Sequence, residues 1–114
     1  EFEELDRSNQ YIPHQSGKPA TELQKALEPF IGEPIYLTID LDWFDPSVLP
    51  GTGTPEPGGF HWQDFASIVE VLKVHNLVAA DIVELSPLID ISGNSSIFAA
   101  KVTRSLLMLL SNGR

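Results

Sequence analysis

At 114 residues the chain is one small domain at most, long enough to bury a modest core. Its 42% hydrophobic and 20% charged residues are ordinary for a globular protein, and its net charge of −9 argues against nucleic acid and anionic membrane surfaces while suiting a cationic ligand or a metal ion. The absence of cysteine excludes a disulfide framework, a zinc–thiolate site and a cysteine nucleophile. No apolar run is long enough to span a bilayer and no signal peptide opens the chain, so a cytoplasmic location is expected. The first residue is Glu rather than Met, as in a processed or truncated chain.

In chain order, residues 1–18 are polar and read as an irregular leader, punctuated by Pro, Ser and Gly in "IPHQSGKP". Thr21 is expected to cap a helix in which Leu23, Ala26, Leu27 and Phe30 recur at helical spacing, stopped by Gly32 and Pro34. Ile35 to Leu41 is almost wholly apolar and reads as a strand covered on both faces, as in a parallel sheet. A long loop from Trp43 to Gly59 follows, and loops of that length are usually functional. A second helix is expected over Trp62 to His75, with a stripe of Phe65, Ile68, Val69 and Leu72. Leu77 to Leu85 reads as a second strand, and a third helix is expected from about Ser96 to Leu110, apolar at Ala99, Val102, Leu106 and Leu109.

The order α-β-α-β-α over residues 19–114 predicts an α/β fold with parallel strands and right-handed crossovers. Two strands buried on both faces make a poor free-standing sheet, because each leaves an apolar edge of unpaired N–H and C=O groups. The pattern therefore reads as part of a larger sheet, completed by further copies or by a partner chain.

In open α/β sheets, ligands bind beyond the carboxyl ends of the strands. Asp40 and Asp42 lie at that end of the first strand and Glu84 at that end of the second. Strand alternation would turn Asp40 and Asp42 to one face, where two like charges raise each other's pKa unless a cation neutralises them. Hard oxygen donors suit Mg²⁺, Mn²⁺ or Ca²⁺. The plainer alternative is that both aspartates cap the loop through Asx-turns. Asp45, before Pro46, is expected to fix the loop in that way, Glu56 to be solvated, and Asp90 to occupy a turn. Asp81, inside the second strand, is expected to be hydrogen-bonded or near solvent, and Arg104 to make an ion pair. The loop itself, "DPSVLPGTGTPEPGG", combines fixed-φ prolines with glycines that would let backbone approach a ligand closely.

The run "IDLDWFDP…PGTGTPEPGG" closely resembles the C-terminal signature of the ureohydrolases, the manganese amidinohydrolases that include arginase and agmatinase. "DIVELSPLID" resembles the segment that follows it in that family, and the resemblance covers about Pro34 to Leu110. The proline after Gly-Thr-Gly-Thr and the "EPGG" wording look more like agmatinase than arginase. The resemblance implies a three-layer αβα sandwich of the arginase type, of which this chain would be an incomplete part. It further implies that Asp40 bridges two Mn²⁺ ions, that Asp42 ligates one of them, that Glu84 pairs with a substrate guanidinium and that Thr54 adds a hydroxyl to the pocket. The implied reaction is hydrolysis of a small cationic guanidino compound, agmatine foremost, to urea and an amine. The implied assembly is a homo-oligomer, and the implied context is polyamine biosynthesis.

The family pattern also needs a "GGDH"-like and a "DAHxD" stretch, and neither is present. The three histidines are poor replacements: His14 lies in the polar leader, His61 starts the second helix, and His75 ends it. His61 alone is kept in reserve as a ligand. The isolated chain is therefore expected to have little or no activity. Two alternatives stay open, a non-catalytic binding or assembly module and one half of a split enzyme.

Overall fold

The computed structural model describes residues 18–112; residues 1–17 of the leader, His14 among them, lie outside the described residues. Three α-helices, α1 (Pro19–Leu27), α2 (Trp62–Leu72) and α3 (Asn94–Asn112), accompany two strands, β1 (Pro34–Asp40) and β2 (Asn76–Val83). The strands pair in parallel, from Pro34 opposite Asn76 to Asp40 opposite Val83. The register slips between Ile35 and Tyr36, so that Val78 has no partner and remains 43% exposed.

The expected periodicities are realised, with shifted ends. α1 begins at Pro19 with Lys18 as its N-cap, so Thr21 lies inside the first turn instead of capping it. Proline at the first helical position costs nothing, because its missing N–H would have had no partner there. The helix tightens into a 3₁₀ turn at Glu28–Phe30 before β1. α2 stops at Leu72, short of His75. It is opened by the His61 N–H, which donates to the Asp64 carboxylate at 2.8 Å. α3 starts at Asn94, two residues before the expected Ser96.

One continuous core joins Leu23 and Leu27 of α1, Phe65, Ile68 and Leu72 of α2, and Ala99, Val102, Leu106 and Leu109 of α3. From the sheet it takes Ile35, Leu37 and Ile39 with Leu77, Ala80 and Ile82, which alternate along the strands and share one face. The other face carries Tyr36, Thr38 and Asp40, all exposed. Burial of β1 on both faces is thus not found among the described residues: Tyr36 is 62% exposed, and its hydroxyl donates to Asp81 at 2.5 Å across the open face. The apolar run of β1 is composed for two covered faces, and the described helices pack on the alternate residues of only one.

Candidate active site

β1 ends at Asp40, and Leu41–Trp43 turns at once into a 3₁₀ helix. Asp40 and Asp42 therefore converge through a cap and not through strand alternation: the Asp42 N–H donates to Asp40 Oδ1 at 3.1 Å. The Asx-capping alternative is realised for Asp40 on one oxygen, and it brings the second carboxylate alongside the first. The Thr54 hydroxyl reaches back from the loop and donates to Asp42 Oδ2 at 2.8 Å. Burial, the Asp42 side chain and the charge of Glu84 push Asp40 up to about 6, against the pull of the Asp42 N–H. The structure thus brings Asp40, Asp42 and Thr54 together, with Glu84 near enough for its charge to act on Asp40.

Glu84 follows β2 directly and has φ of 75°, the one non-glycine residue among those described in the left-handed region. Such a conformation costs about 1–3 kcal/mol and persists only where its surroundings impose it. It turns the chain sharply off the strand, so that Glu84 stands at the same end of the sheet as Asp40.

The loop between β1 and α2 is closed at its neck. Phe44 and Phe60 form a parallel bridge, the Asp45 N–H donates to the Phe60 carbonyl at 2.8 Å, and the Phe60 N–H to the Trp43 carbonyl at 3.0 Å. Asp45 does more than the expected Asx-turn with Ser47 (2.9 Å): its other oxygen accepts from the N–H groups of Gly58 (2.9 Å) and Gly59 (3.1 Å). The Ser47 hydroxyl, which also donates to Asp45, and these N–H groups hold its carboxyl well below the usual range. A Cβ on Gly59 would lie 2.6 Å from the Asp45 nitrogen and 2.7 Å from the Phe44 carbonyl carbon. This glycine lets backbone approach backbone, where the sequence suggested approach to a ligand. Beneath the neck, Trp43 stacks on Phe60 at 4.4 Å, and Phe44 meets Phe65 of α2 and Phe98 of α3 edge-on.

The far limb of the loop is docked on α3. The Gly51 N–H donates to Ser95 Oγ at 2.8 Å and the Gly51 carbonyl accepts from the Ser86 N–H at 2.7 Å. Ser95 in turn gives its hydroxyl proton to Asp90 at 2.6 Å. Asp90 also accepts from the Ser92 hydroxyl (2.6 Å) and from the N–H groups of Ser92 (3.1 Å) and Ser95 (2.9 Å); the Ser92 and Ser95 hydroxyls foremost, aided by these N–H groups, hold its carboxyl down at about 2. Asp90, read from the sequence as a turn residue, is the hub of this contact, and Gly51 and Ser95 were not singled out at all. The available signal was an Asp ahead of the third helix with two serines behind it.

Among the described residues, no group of three or more His, Cys, Asp or Glu side chains converges where a metal ion could be held. The oxygen donors of Asp40 and Asp42 suit a hard cation in kind but not in number. His61 is exposed at the head of α2 and takes no part in the cluster, and His75 lies beyond that helix. Glu56 is exposed, as expected. Arg104 makes no ion pair with another described residue; the pair present joins Lys73 and Glu70.

The chain as a whole has counterparts among known proteins. The sequence matches the arginase family over residues 8–109. The chain belongs to the arginase family. It is 37% identical over 101 residues to the mitochondrial agmatinase of Gallus gallus, covering 81% of this chain and 30% of the relative. It is also 37% identical over 94 residues to a guanidinobutyrase of Pseudomonas aeruginosa, covering 75% and 30%. The structure superposes on that of a putative agmatinase from Clostridium difficile with a TM-score of 0.76 and 42% identity, covering 83% of this chain and 35% of that one. The arginase-family chain thus spans about a third of the length of these relatives, and its two parallel strands are an incomplete part of an α/β fold.

Proposed function

We propose that these residues belong to a hydrolase of guanidino compounds, with agmatine as substrate and urea and an amine as products. The observation that carries the reading is the meeting of Asp40, Asp42 and Thr54 with the charge of Glu84 beyond the carboxyl ends of two parallel strands. Relatives named agmatinase and guanidinobutyrase are equally similar, which supports the guanidino class; the "GTGTPEPGG" wording favours agmatine within it.

In this reading Asp40 and Asp42 are two ligands of a binuclear manganese centre whose remaining ligands come from residues outside those described. When bound, manganese makes water acidic enough to serve as a nucleophile near neutral pH. Thr54 fixes the orientation of Asp42 through its hydrogen bond. Glu84 accepts two parallel N–H bonds from the planar guanidinium and turns its central carbon toward the aspartates. The exposed sheet face is covered by the rest of the family's domain, whether in the same polypeptide or in a partner chain. The net charge of −9 favours capture of a cationic substrate.

The test is urea release from agmatine and arginine by the full-length polypeptide that contains these residues, with excess Mn²⁺ and an Asp42→Asn variant. The expected result is turnover of agmatine that falls by about a hundredfold or more in the variant. Turnover unchanged by Asp42→Asn would overturn the assignment.

A further inference from the structure

We propose that Ser95 and Asp90 are positioning residues for this reaction, holding Gly51 as the joint between the loop that carries Thr54 and the turn that carries Glu84. The inference rests on the hydrolase reading and goes beyond it, because neither residue touches the carboxylate cluster. Gly51 is engaged on both sides: its N–H by Ser95 at 2.8 Å and its carbonyl by the Ser86 N–H at 2.7 Å. Ser86 lies two residues after Glu84, and Thr54 three residues after Gly51. One residue, through the two peptide groups that flank it, therefore fixes the spacing between the hydroxyl that orients Asp42 and the turn that presents Glu84.

The geometry of the joint leaves little freedom. Ser95 is 0% exposed, and its single hydroxyl proton is committed to Asp90 at 2.6 Å. Its lone pairs are thereby turned toward the Gly51 N–H. Asp90 is itself held by the N–H groups of Ser92 and Ser95 and by the Ser92 hydroxyl at 2.6 Å. A Cβ on Gly51 would lie 2.7 Å from Ser95 Cβ and 3.2 Å from Asp90 Cβ, so the close approach requires glycine. The left-handed backbone of Glu84 needs surroundings that impose it, and the Ser86 bond to Gly51 acts two residues away. Capping of α3 alone would need the Asp90 bonds to Ser92 and Ser95 but not the bond to Gly51.

Ser95→Ala separates the two roles, since it removes the bond to Gly51 and leaves the Asp90 carboxylate on the backbone N–H groups of Ser92 and Ser95. In the full-length protein, amide hydrogen exchange over residues 50–56 is measured beside kcat and KM for agmatine. A core variant, Leu72→Val, serves as the control for general loss of stability. Exchange over residues 50–56 is expected to rise about tenfold above that of the control. The value of kcat is expected to fall about tenfold, within the hundredfold that a displacement of ~1 Å can cost, while KM stays within about twofold. Asp90→Asn, which keeps the shape of the side chain, gives the same pattern with a smaller amplitude. Exchange no faster than in Leu72→Val, or kcat unchanged in both variants, would overturn the proposal. If the wild-type protein hydrolyses no guanidino compound, the proposed function fails, and the exchange measurement alone decides whether the joint exists.

Discussion

The open face of the sheet runs along β1 and the loop to α2 leaves from its end, yet the two differ in how far their interactions are complete. Around the loop, Asp45 and, from the segment before α3, Asp90 each accept several N–H and hydroxyl donors, Ser95 of α3 is buried between two partners, and Phe44 is enclosed by aromatic rings. On the open face, Tyr36 and Val83 are exposed, and the segment after β2 presents Leu88 at 93% and Ile91 at 99% exposure. Asp40, at the border, belongs to both: one oxygen caps a turn, while its charge meets those of Asp42 and Glu84. The comparison teaches that, among the described residues, the loop scaffold is complete while one sheet face is open and the carboxylate cluster falls short of a metal site.

The largest expected effect lies on the completed side. Phe44→Ala removes a ring that is 0% exposed and touches α2 and α3, and it should cost about 3–5 kcal/mol in denaturant unfolding. A loss below 1 kcal/mol would mean that the loop neck is not part of the core.

Asp40 at the border and Asp90 on the completed side should respond to pH in opposite senses. The folded state holds Asp40 up at about 6, so its contribution is fully present below its ordinary value near 4 and is lost as pH rises through 6. In chelated, metal-free buffer, Asp40→Asn should therefore stabilise the protein above pH 6, by about 1 kcal/mol once solvent screening is discounted, and bring no gain at pH 4. Asp90 is held down at about 2, so its contribution is present above its ordinary value and is lost as pH falls through 2. Asp90→Asn should lower Tm at pH 6 and converge on the parent at pH 2. Melting curves of both variants across pH 2–8 check the signs; equal shifts at all pH values would contradict them.

The smallest effect belongs to the open side. Ile91→Ser should change stability by no more than about 0.5 kcal/mol, because a side chain that is 99% exposed loses no packing. A large loss would show that Ile91 is already covered.

The helix stripes were legible in the sequence because their period is local. Leu23 and Leu27, Phe65 through Leu72, and Ala99 through Leu109 are buried where the spacing put them. The helix starts were not, because Pro19 and Asn94 compete with Thr21 and Ser96, which are equally good starting residues. The "DLD" pair and Asp45 announced themselves through neighbouring Pro and Gly. The contact between Gly51 and Ser95 spans 44 residues, and no local pattern carries it. The apolar run of β1 suggested two covered faces because composition records what a strand was selected to touch, and a layer supplied from elsewhere leaves the same trace as one at hand.

The most direct test of the account is a calorimetric titration of Mn²⁺ into the 114-residue chain, with Asp42→Asn in parallel. A scaffold with only part of a ligand set should bind with Kd on the order of 10⁻⁴ M or weaker, and the variant should differ little. Micromolar binding abolished by Asp42→Asn would contradict the account, because it would mean that this chain alone assembles a metal centre.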